Sequence, residues 1–289
     1  MNTIQQLFPN LATFMEYAPG VDASKALADY LPSARSAQKN IEAVISANVF
    51  AAIVKSSQTE LLDALRAALA NRTLAAQLVF DAIARRKAGT DVYKYEIEGM
   101  QRAYMENYFA AMDNLIQLLM AGQQAEGSPA QLWRTARYGR LLEECPIRQA
   151  EEFDAIYPID LSYLFFFRTV PLQRECLDER LAPYFERAEG REKLRPMLLL
   201  ALAKLTVAKA LRRFDMLEFP PTIRNLFADN KAARQAQAEN DNAVKLAASL
   251  EYEADKLLAD ADLLLDERTA DACSLSHYNA PDDLIVMAP

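Results

Sequence analysis

The sequence predicts an all-α protein built from two tandem copies of a small helical bundle, followed by a non-helical C-terminal tail. Two features of the composition favour helices. The chain of 289 residues contains 50 alanines, which have the highest helix propensity, and only 7 glycines, which cost about 1 kcal/mol in a helix interior. The third observation is an internal duplication, because the same anchors recur in the same order along the chain.

Three pairs of segments carry the duplication. They are Phe14–Pro19 with Phe153–Pro158, Ala68–Leu78 with Ala201–Leu211, and Asp113–Ile116 with Asp255–Leu258. The first pair is separated by 139 residues and the second by 133, with six of eleven positions identical, so the first copy holds six extra residues. A chance match between alanine-rich helices is the alternative, but the ordered Phe and Pro anchors favour duplication.

The same series of elements is predicted in each copy. After the opening segment a helix begins, and its candidate N-caps are Asp22 or Ser24 in the first copy and Asp160 or Ser162 in the second. Pro32 and Pro171 then begin or kink a helix. A leucine stripe predicts the next helix near 60–86, or 191–214, and a long helix follows at about 94–121, or 229–265.

These patterns divide the chain into four parts. They are a first repeat at residues 1–125, a connecting segment at 126–144, a second repeat at 145–270 and a tail at 271–289. The hinge Gly122–Pro129 leads to Trp133 and a short basic helix with Arg134, Arg137 and Arg140. The tail from Ser274 is expected either to pack on its own chain or to extend onto a neighbour.

Residue chemistry argues against an enzyme, a metal centre or a bound cofactor. The single histidine, His277, cannot build a histidine cage or serve Cys176 as an activating base in a matching repeat position. No GxSxG, P-loop or HExxH motif occurs. Three cysteines without a CxxC pair indicate a reducing compartment. No secretory signal or membrane span is predicted, since the apolar run Met197–Ala203 is far shorter than the roughly 20 residues that cross a bilayer.

Charge is segregated along the second half of the chain. Residues 168–213 hold eleven Lys or Arg against six acids, and residues 231–271 hold ten acids against five bases. The basic residues on one predicted helix are Arg195, Lys204, Lys209, Arg212 and Arg213. They predict a solvated basic face or a contact with DNA phosphates or an acidic partner. Two patches of opposite sign also suit head-to-tail contacts between copies.

The acidic segment offers one candidate for a magnesium site. Asp262 and Asp266 lie one helical turn apart, but no second helix offers a matching set of carboxylates. A solvated acidic helix face is therefore the favoured interpretation.

Two apolar segments are candidate interfaces. Tyr163, Phe165, Phe166 and Phe167 form a dense run, and three consecutive phenylalanines on a helix point in three directions. The run is expected either to wedge between the two repeats or to form a subunit interface. In the tail, the candidate interface residues are Leu284, Ile285, Val286 and Met287.

Five stretches carry packing patterns that resemble a known family. They are Val92–Tyr108 with Asp113–Ile116, Trp133, Cys145–Phe153, Tyr157–Ser162, and Leu194–Leu211. The chain resembles, over about residues 10–260, an uncharacterised structural protein family encoded by phages and prophages of the Bacteroidetes. The second copy departs from that pattern at Glu186, where a glycine is expected.

Repeated small helical domains of this kind are also similar, at the level of fold, to head–tail connector proteins of tailed phages. The resemblance implies a non-enzymatic virion assembly protein that binds itself and portal or tail components. Its expected location is the virion, or the bacterial cytoplasm during assembly. The alternative is a helical binding or regulatory module whose basic face, residues 168–213, contacts nucleic acid or an acidic partner.

Overall fold

A computed structural model describes residues 3–20, 24–89, 93–227 and 236–273, and of residues 3, 94, 236–239 and 267–273 only the backbone. All regular elements within these ranges are helical, so the all-α prediction is confirmed. The described helices before the Gly122 hinge are α1 (Thr3–Leu7), α2 (Leu11–Tyr17), α3 (Leu31–Ile45), α4 (Ala47–Lys55), α5 (Thr59–Lys87) and α6 (Lys94–Ala121). A 3₁₀ turn at Leu27–Tyr30 precedes α3.

After the hinge the described chain continues with shorter helices and ends with a long one. They are α7 (Pro129–Arg134), α8 (Arg137–Leu142), α9 (Ala150–Ile156), α10 (Tyr163–Cys176), α11 (Ala182–Arg187), α12 (Arg195–Arg213), α13 (Pro221–Phe227) and α14 (Ala236–Cys273). A π-helical turn, Leu177–Leu181, joins α10 to α11, and a 3₁₀ turn, Met216–Glu218, precedes α13.

The two prolines act differently in the two halves of the chain. Pro32 lies in the first turn of α3, where its missing N–H costs no helical hydrogen bond, and so it begins a helix. Pro171 lies inside α10, which runs on to Cys176 and then into the π-helical turn. Ser162 caps α10, because its Oγ accepts a hydrogen bond from the N–H of Phe165 at 3.2 Å.

The other candidate caps have different outcomes. Asp160 does not cap α10; its carboxylate accepts from the N–H of Thr222 at 2.8 Å and so holds α13. In the first copy Asp22 lies outside the described residues, and the 3₁₀ turn begins after Ala26, whose N–H donates to Asp29.

The long helices follow the sequence-based boundaries closely. Those predicted near 60–86 and 94–121 are α5 and α6, while that near 191–214 is the slightly shorter α12. The last helix was expected to end near 265, but α14 continues to Cys273. Residues 271–273, assigned to the tail, are therefore helical.

Two helical hairpins make the most extensive helix–helix contacts of the described chain. In one, α5 packs along α6; in the other, α12 packs along α14. The alanines lie at these contacts. Ala68 and Ala75 on α5, and Ala201 and Ala208 on α12, are fully buried. Small side chains there let the paired helices approach closely, which explains why the alanine-rich segments are the core.

A continuous apolar core joins the two halves of the chain. Trp133 of α7 is fully buried and meets the ring of Phe167 of α10 edge to face, with 5.0 Å between centroids. The α7–α8 turn needs a glycine, since a Cβ at Gly139 would lie 1.9 Å from the carbonyl oxygen of Arg134. The connecting segment is thus packed into the core.

Candidate interaction surfaces

The predicted basic face of α12 is paired with carboxylates of the same chain. Lys209 donates from Nζ to Glu175 at 2.8 Å and to Glu179 at 2.7 Å. Arg213 donates from both Nη atoms to the two oxygens of Glu175, at 2.5 and 2.7 Å. This bidentate geometry is the strongest that arginine and a carboxylate adopt. One edge of α12 is therefore joined to α10 and the π-helical turn.

The other edge of α12 is joined to α14. Arg212 pairs with both oxygens of Glu251, one of them at 2.7 Å from Nη2. Lys204, about two turns before Arg212 and near the middle of α12, pairs with Glu253. A phosphate or an acidic partner could therefore bind either cation only after displacing the carboxylate that already pairs with it.

The acidic stretch of α14 continues the same pattern. Arg180 reaches Asp255 at 2.5 Å, and Arg187 of α11 reaches Asp262 at 3.1 Å and Asp266 at 3.8 Å. Tyr184 also donates its hydroxyl to Asp262, at 2.8 Å. A guanidinium thus lies between the two aspartates with magnesium-like spacing. We call the ion pairs that join α12 and α14 to each other and to α10, the π-helical turn and α11 the ion-pair layer. Its members are Glu175, Glu179, Arg180, Arg187, Lys204, Lys209, Arg212, Arg213, Glu251, Glu253, Asp255, Asp262 and Asp266.

The ion-pair layer corrects one prediction of the charge pattern. The basic and acidic segments were expected to suit contacts between copies, but they pair with each other within one chain. The reason is that α12 and α14 are packed side by side, although their sequences show only two separate patches. Arg195 differs from the other four basic residues, since it is exposed and forms no ion pair with a described residue.

Glu175 is the carboxylate most strongly affected by these pairs. Hydrogen bonds from Arg213 and Lys209 lower its pKa to about 2. The carboxylate is therefore ionised throughout the neutral range, and the layer stays fully charged there.

The phenylalanine run lies inside the protein. Phe165, Phe166 and Phe167 are each only 1% exposed, and they contact aromatic rings from three directions. The prediction that these three residues form a subunit interface is therefore wrong for the described chain. Neighbouring elements of the second half cover the three rings from all three directions. Tyr163 is half-buried, and its hydrogen bond to Glu151 raises its pKa to about 12.

The remaining candidate residues either carry thiols that disfavour the reactive thiolate form or lie outside the described residues. Burial raises the pKa of the Cys176 thiol to about 11, and that of Cys145 to about 11, which disfavours a thiolate nucleophile at either position. The tail residues Leu284, Ile285, Val286 and Met287 lie outside the described residues, as does His277.

Polar contacts between the two halves were not predicted from the sequence. Asp113 of α6 accepts from the Ser162 hydroxyl and from the N–H of Leu164, both at 2.8 Å, so a carboxylate of the first half caps a helix of the second. Burial raises the pKa of Asp113, while these hydrogen bonds oppose the rise. Arg168 and Glu218 form a further ion pair near this junction, at 3.0 Å.

A cleft of roughly 620 Å³ lies along this junction and carries balanced charges. Its Arg102 and Arg224 both reach Glu106, at 3.4 and 3.2 Å. Since these cations already have a carboxylate partner, the cleft has the character of a polar seam between the halves.

The most exposed apolar residues of α5 lie at one end of the first hairpin. Val79, Phe80 and Ile83 are 46%, 58% and 48% exposed. They are followed by Arg85, Arg86 and Lys87, which are exposed and form no ion pair with a described residue. We call these six residues the tip surface. Tyr93 and Tyr95, stacked at 5.7 Å where α6 begins, add exposed rings at the same end of the hairpin.

The apolar residues of the tip surface continue the leucine stripe of α5. Val79 and Ile83 lie 18 residues, or five helical turns, after Leu61 and Leu65, so they share the side of the helix that is buried further back. The sequence pattern alone therefore predicts that they are buried, and their exposure is visible only in the structure.

Among the described helices, none combines the length and apolar composition needed to span a bilayer. The described residues contain no cluster of three or more His, Cys, Asp or Glu side chains suited to hold a metal ion. Comparisons with models of known protein families, with curated proteins and with solved structures find no match to this chain.

Proposed function

We propose that this chain is a non-enzymatic structural protein that acts by binding other protein surfaces, and that the tip surface is its main contact. The observation that carries the proposal is the tip surface itself. Three large apolar side chains within five residues are exposed, although two of them, Val79 and Ile83, lie on the side of α5 that is buried nearer its start. Exposed apolar clusters with a charged rim are typical of protein–protein contact sites.

The charged residues support a contact protein over a nucleic-acid binder. Four of the five cations singled out on α12 are paired with carboxylates of the same chain, so a phosphate backbone would have to displace those carboxylates. The formal net charge of −8 opposes non-specific DNA binding as well.

The more specific form of the proposal is a phage or prophage virion assembly protein that resembles a head–tail connector. It rests on the resemblance carried by the packing patterns of the sequence. A rigid scaffold with unpaired surfaces at its ends suits a protein that joins larger parts. The proposed partners are further copies and portal or tail components, in the virion or in the bacterial cytoplasm during assembly.

Duplication of one helical unit is part of this proposal, and the helix bounds support it. Shifting α2 by 139 residues gives the bounds of α9, Ala150–Ile156. The buried residues match too, since Phe14 and Phe153 are both fully buried.

The proposal is tested by removing the protein from the phage or prophage that encodes it. Deletion is expected to leave filled heads and finished tails unjoined in electron micrographs of lysates. Mass spectrometry of purified virions is expected to find the chain in the wild type. Infectious, joined virions that lack the chain would overturn the proposal.

The role of the tip surface is tested by complementing the deletion with variants. Val79→Ser, Phe80→Ser and Ile83→Ser together are expected to fail to restore joined virions. A control with Val244→Ser and Tyr252→Ser, which are similarly exposed on α14, is expected to restore them. Full rescue by the tip variant would show that another surface makes the contact.

A further inference from the structure

A second exposed apolar surface lies on the last helix, and its charge is opposite to that of the tip surface. Leu263 and Leu264 are 63% and 42% exposed, and Asp260 lies one turn before them. Residues 259–266 hold Asp260, Asp262 and Asp266, and Arg187 pairs with the last two. The region therefore keeps an excess of negative charge, whereas the tip surface ends in three consecutive bases. We call Asp260, Leu263 and Leu264 the α14 end surface.

The two surfaces lie on different hairpins, the tip surface on α5 and the α14 end surface on α14. Helix α13 contacts both hairpins, through Arg224 to Glu106 of α6 and through Phe227 to Asn242 of α14. Leu263 lies 21 residues beyond Asn242, or roughly 32 Å along the helix at 1.5 Å per residue. Both surfaces are exposed, so neither covers the other within one chain.

Charge complementarity identifies the occupant of the tip surface. The cations of the ion-pair layer are neutralised by their own carboxylates, whereas Arg85, Arg86 and Lys87 form no ion pair with a described residue. A surface that is basic and apolar fits one that is acidic and apolar, because burial of the leucines and Phe80 is then accompanied by attraction between the charged rims. The α14 end surface of another copy has this character.

We propose that the tip surface of one copy docks on the α14 end surface of a second copy. The inference rests on the proposed function, since it names a partner for the same tip surface. The contact joins two different surfaces, so each copy keeps one of each free after the first contact. Such a heterologous contact continues into a ring if the rotation between copies closes, and into an open filament if it does not.

A mixing experiment with two complementary variants tests the contact. One variant carries Phe80→Asp and Ile83→Asp and keeps the α14 end surface; the other carries Leu263→Asp and Leu264→Asp and keeps the tip surface. In sedimentation velocity the wild-type chain is expected to self-associate with rising concentration, and each variant alone to associate at least tenfold more weakly. An equimolar mixture is expected to form a dimer of the two variants and nothing larger.

A matched control separates loss of contact from loss of fold. Leu226→Asp changes a residue of α13 that is 59% exposed but belongs to neither surface, and it is expected to associate like the wild type. Circular dichroism is expected to show the same helical content for all variants. The association is also expected to weaken with added salt, because its charged rims are solvent-exposed.

Three results would overturn the proposal. They are a wild-type chain that stays monomeric at high concentration, variants that associate as strongly as the wild type, and mixed variants that form no dimer. A wild-type chain that binds DNA fragments through its tip surface and stays monomeric would be an instance of the first result. A monomeric chain that is still present in virions and needed to join them would remove this inference and leave the proposed function standing.

Discussion

The two hairpins are similar in their buried residues and differ in their outward ones. Leu65 on α5 and Leu198 on α12, which match in the proposed duplication, are both buried. On the outside, the α12–α14 hairpin is joined to α10 and α11 by the ion-pair layer, while the α5–α6 hairpin ends in the exposed Phe80 and three bases that form no ion pair with a described residue. The difference teaches that two helical hairpins with similar buried faces can differ in whether their outward residues are paired within the chain or left exposed.

The largest expected effect tests the shared part of the comparison. Phe14→Ala and Phe153→Ala remove rings that are fully buried at matching positions, so each is expected to cost about 3–5 kcal/mol of unfolding free energy. Urea titrations followed by circular dichroism measure this. A cost below about 1 kcal/mol at one position, with the full cost at the other, would show that the two halves are not packed alike.

The next prediction concerns two buried glutamines whose environments are opposite. Gln77 accepts from Ser33 at 2.7 Å and donates to Asp81 at 2.9 Å, whereas the side-chain oxygen and nitrogen of Gln173 are buried without a partner. Gln77→Met is expected to destabilise the protein by about 1–3 kcal/mol, because the buried Ser33 hydroxyl loses its partner. Gln173→Met is expected to stabilise it by about 1 kcal/mol, since an unpaired amide leaves the core.

The same urea titrations compare the two glutamine variants directly. A change of the same sign in both would contradict the difference in their hydrogen bonding.

A smaller effect is expected from pH, and it belongs to the α12–α14 hairpin. The pKa of Glu175 is held at about 2, below its value of about 4.3 in an unfolded chain. Its contribution to stability is therefore present above about pH 4.3 and is lost as the pH falls towards 2. Because the pair is partly exposed, Glu175→Gln is expected to cost less than about 1 kcal/mol at pH 7 and nothing at pH 2.

Chemical denaturation of Glu175→Gln and of the wild type between pH 7 and pH 2 measures this convergence. The control is Glu189→Gln, a change at an exposed residue outside the ion-pair layer. A constant difference between Glu175→Gln and the wild type across the range would mean that the ion pairs with Arg213 and Lys209 do not form.

The smallest expected change in stability is at the tip surface. Val79→Ser, Phe80→Ser and Ile83→Ser together are expected to alter the unfolding free energy by less than about 1 kcal/mol, because each side chain is about half exposed. Thermal and urea unfolding check this. A loss comparable to that of Phe14→Ala would mean that the tip residues pack within the chain and are not free for a partner.

Much of the fold could be predicted from the sequence because local signals specify it. The leucine stripe on α5 and the cap at Ser162 depend on residues a few positions apart, and α5 and α6 have nearly the predicted bounds. The junction residue Asp113 could not be predicted, because its hydrogen bonds reach Ser162 and Leu164 about fifty positions away. The exposure of the tip surface could not be predicted either, because Val79 and Ile83 continue the apolar stripe that is buried earlier in α5.

The sequence by itself determined the helical class, the alanine-rich contacts and the segregation of charge. Composition and the 3.6-residue period are sufficient for these, since both act within a single helix. Only the tertiary structure decided which charges are neutralised and which apolar residues are covered. The ion-pair layer and the buried Phe165–Phe167 run both depend on which helices become neighbours, and that choice is made by long-range packing.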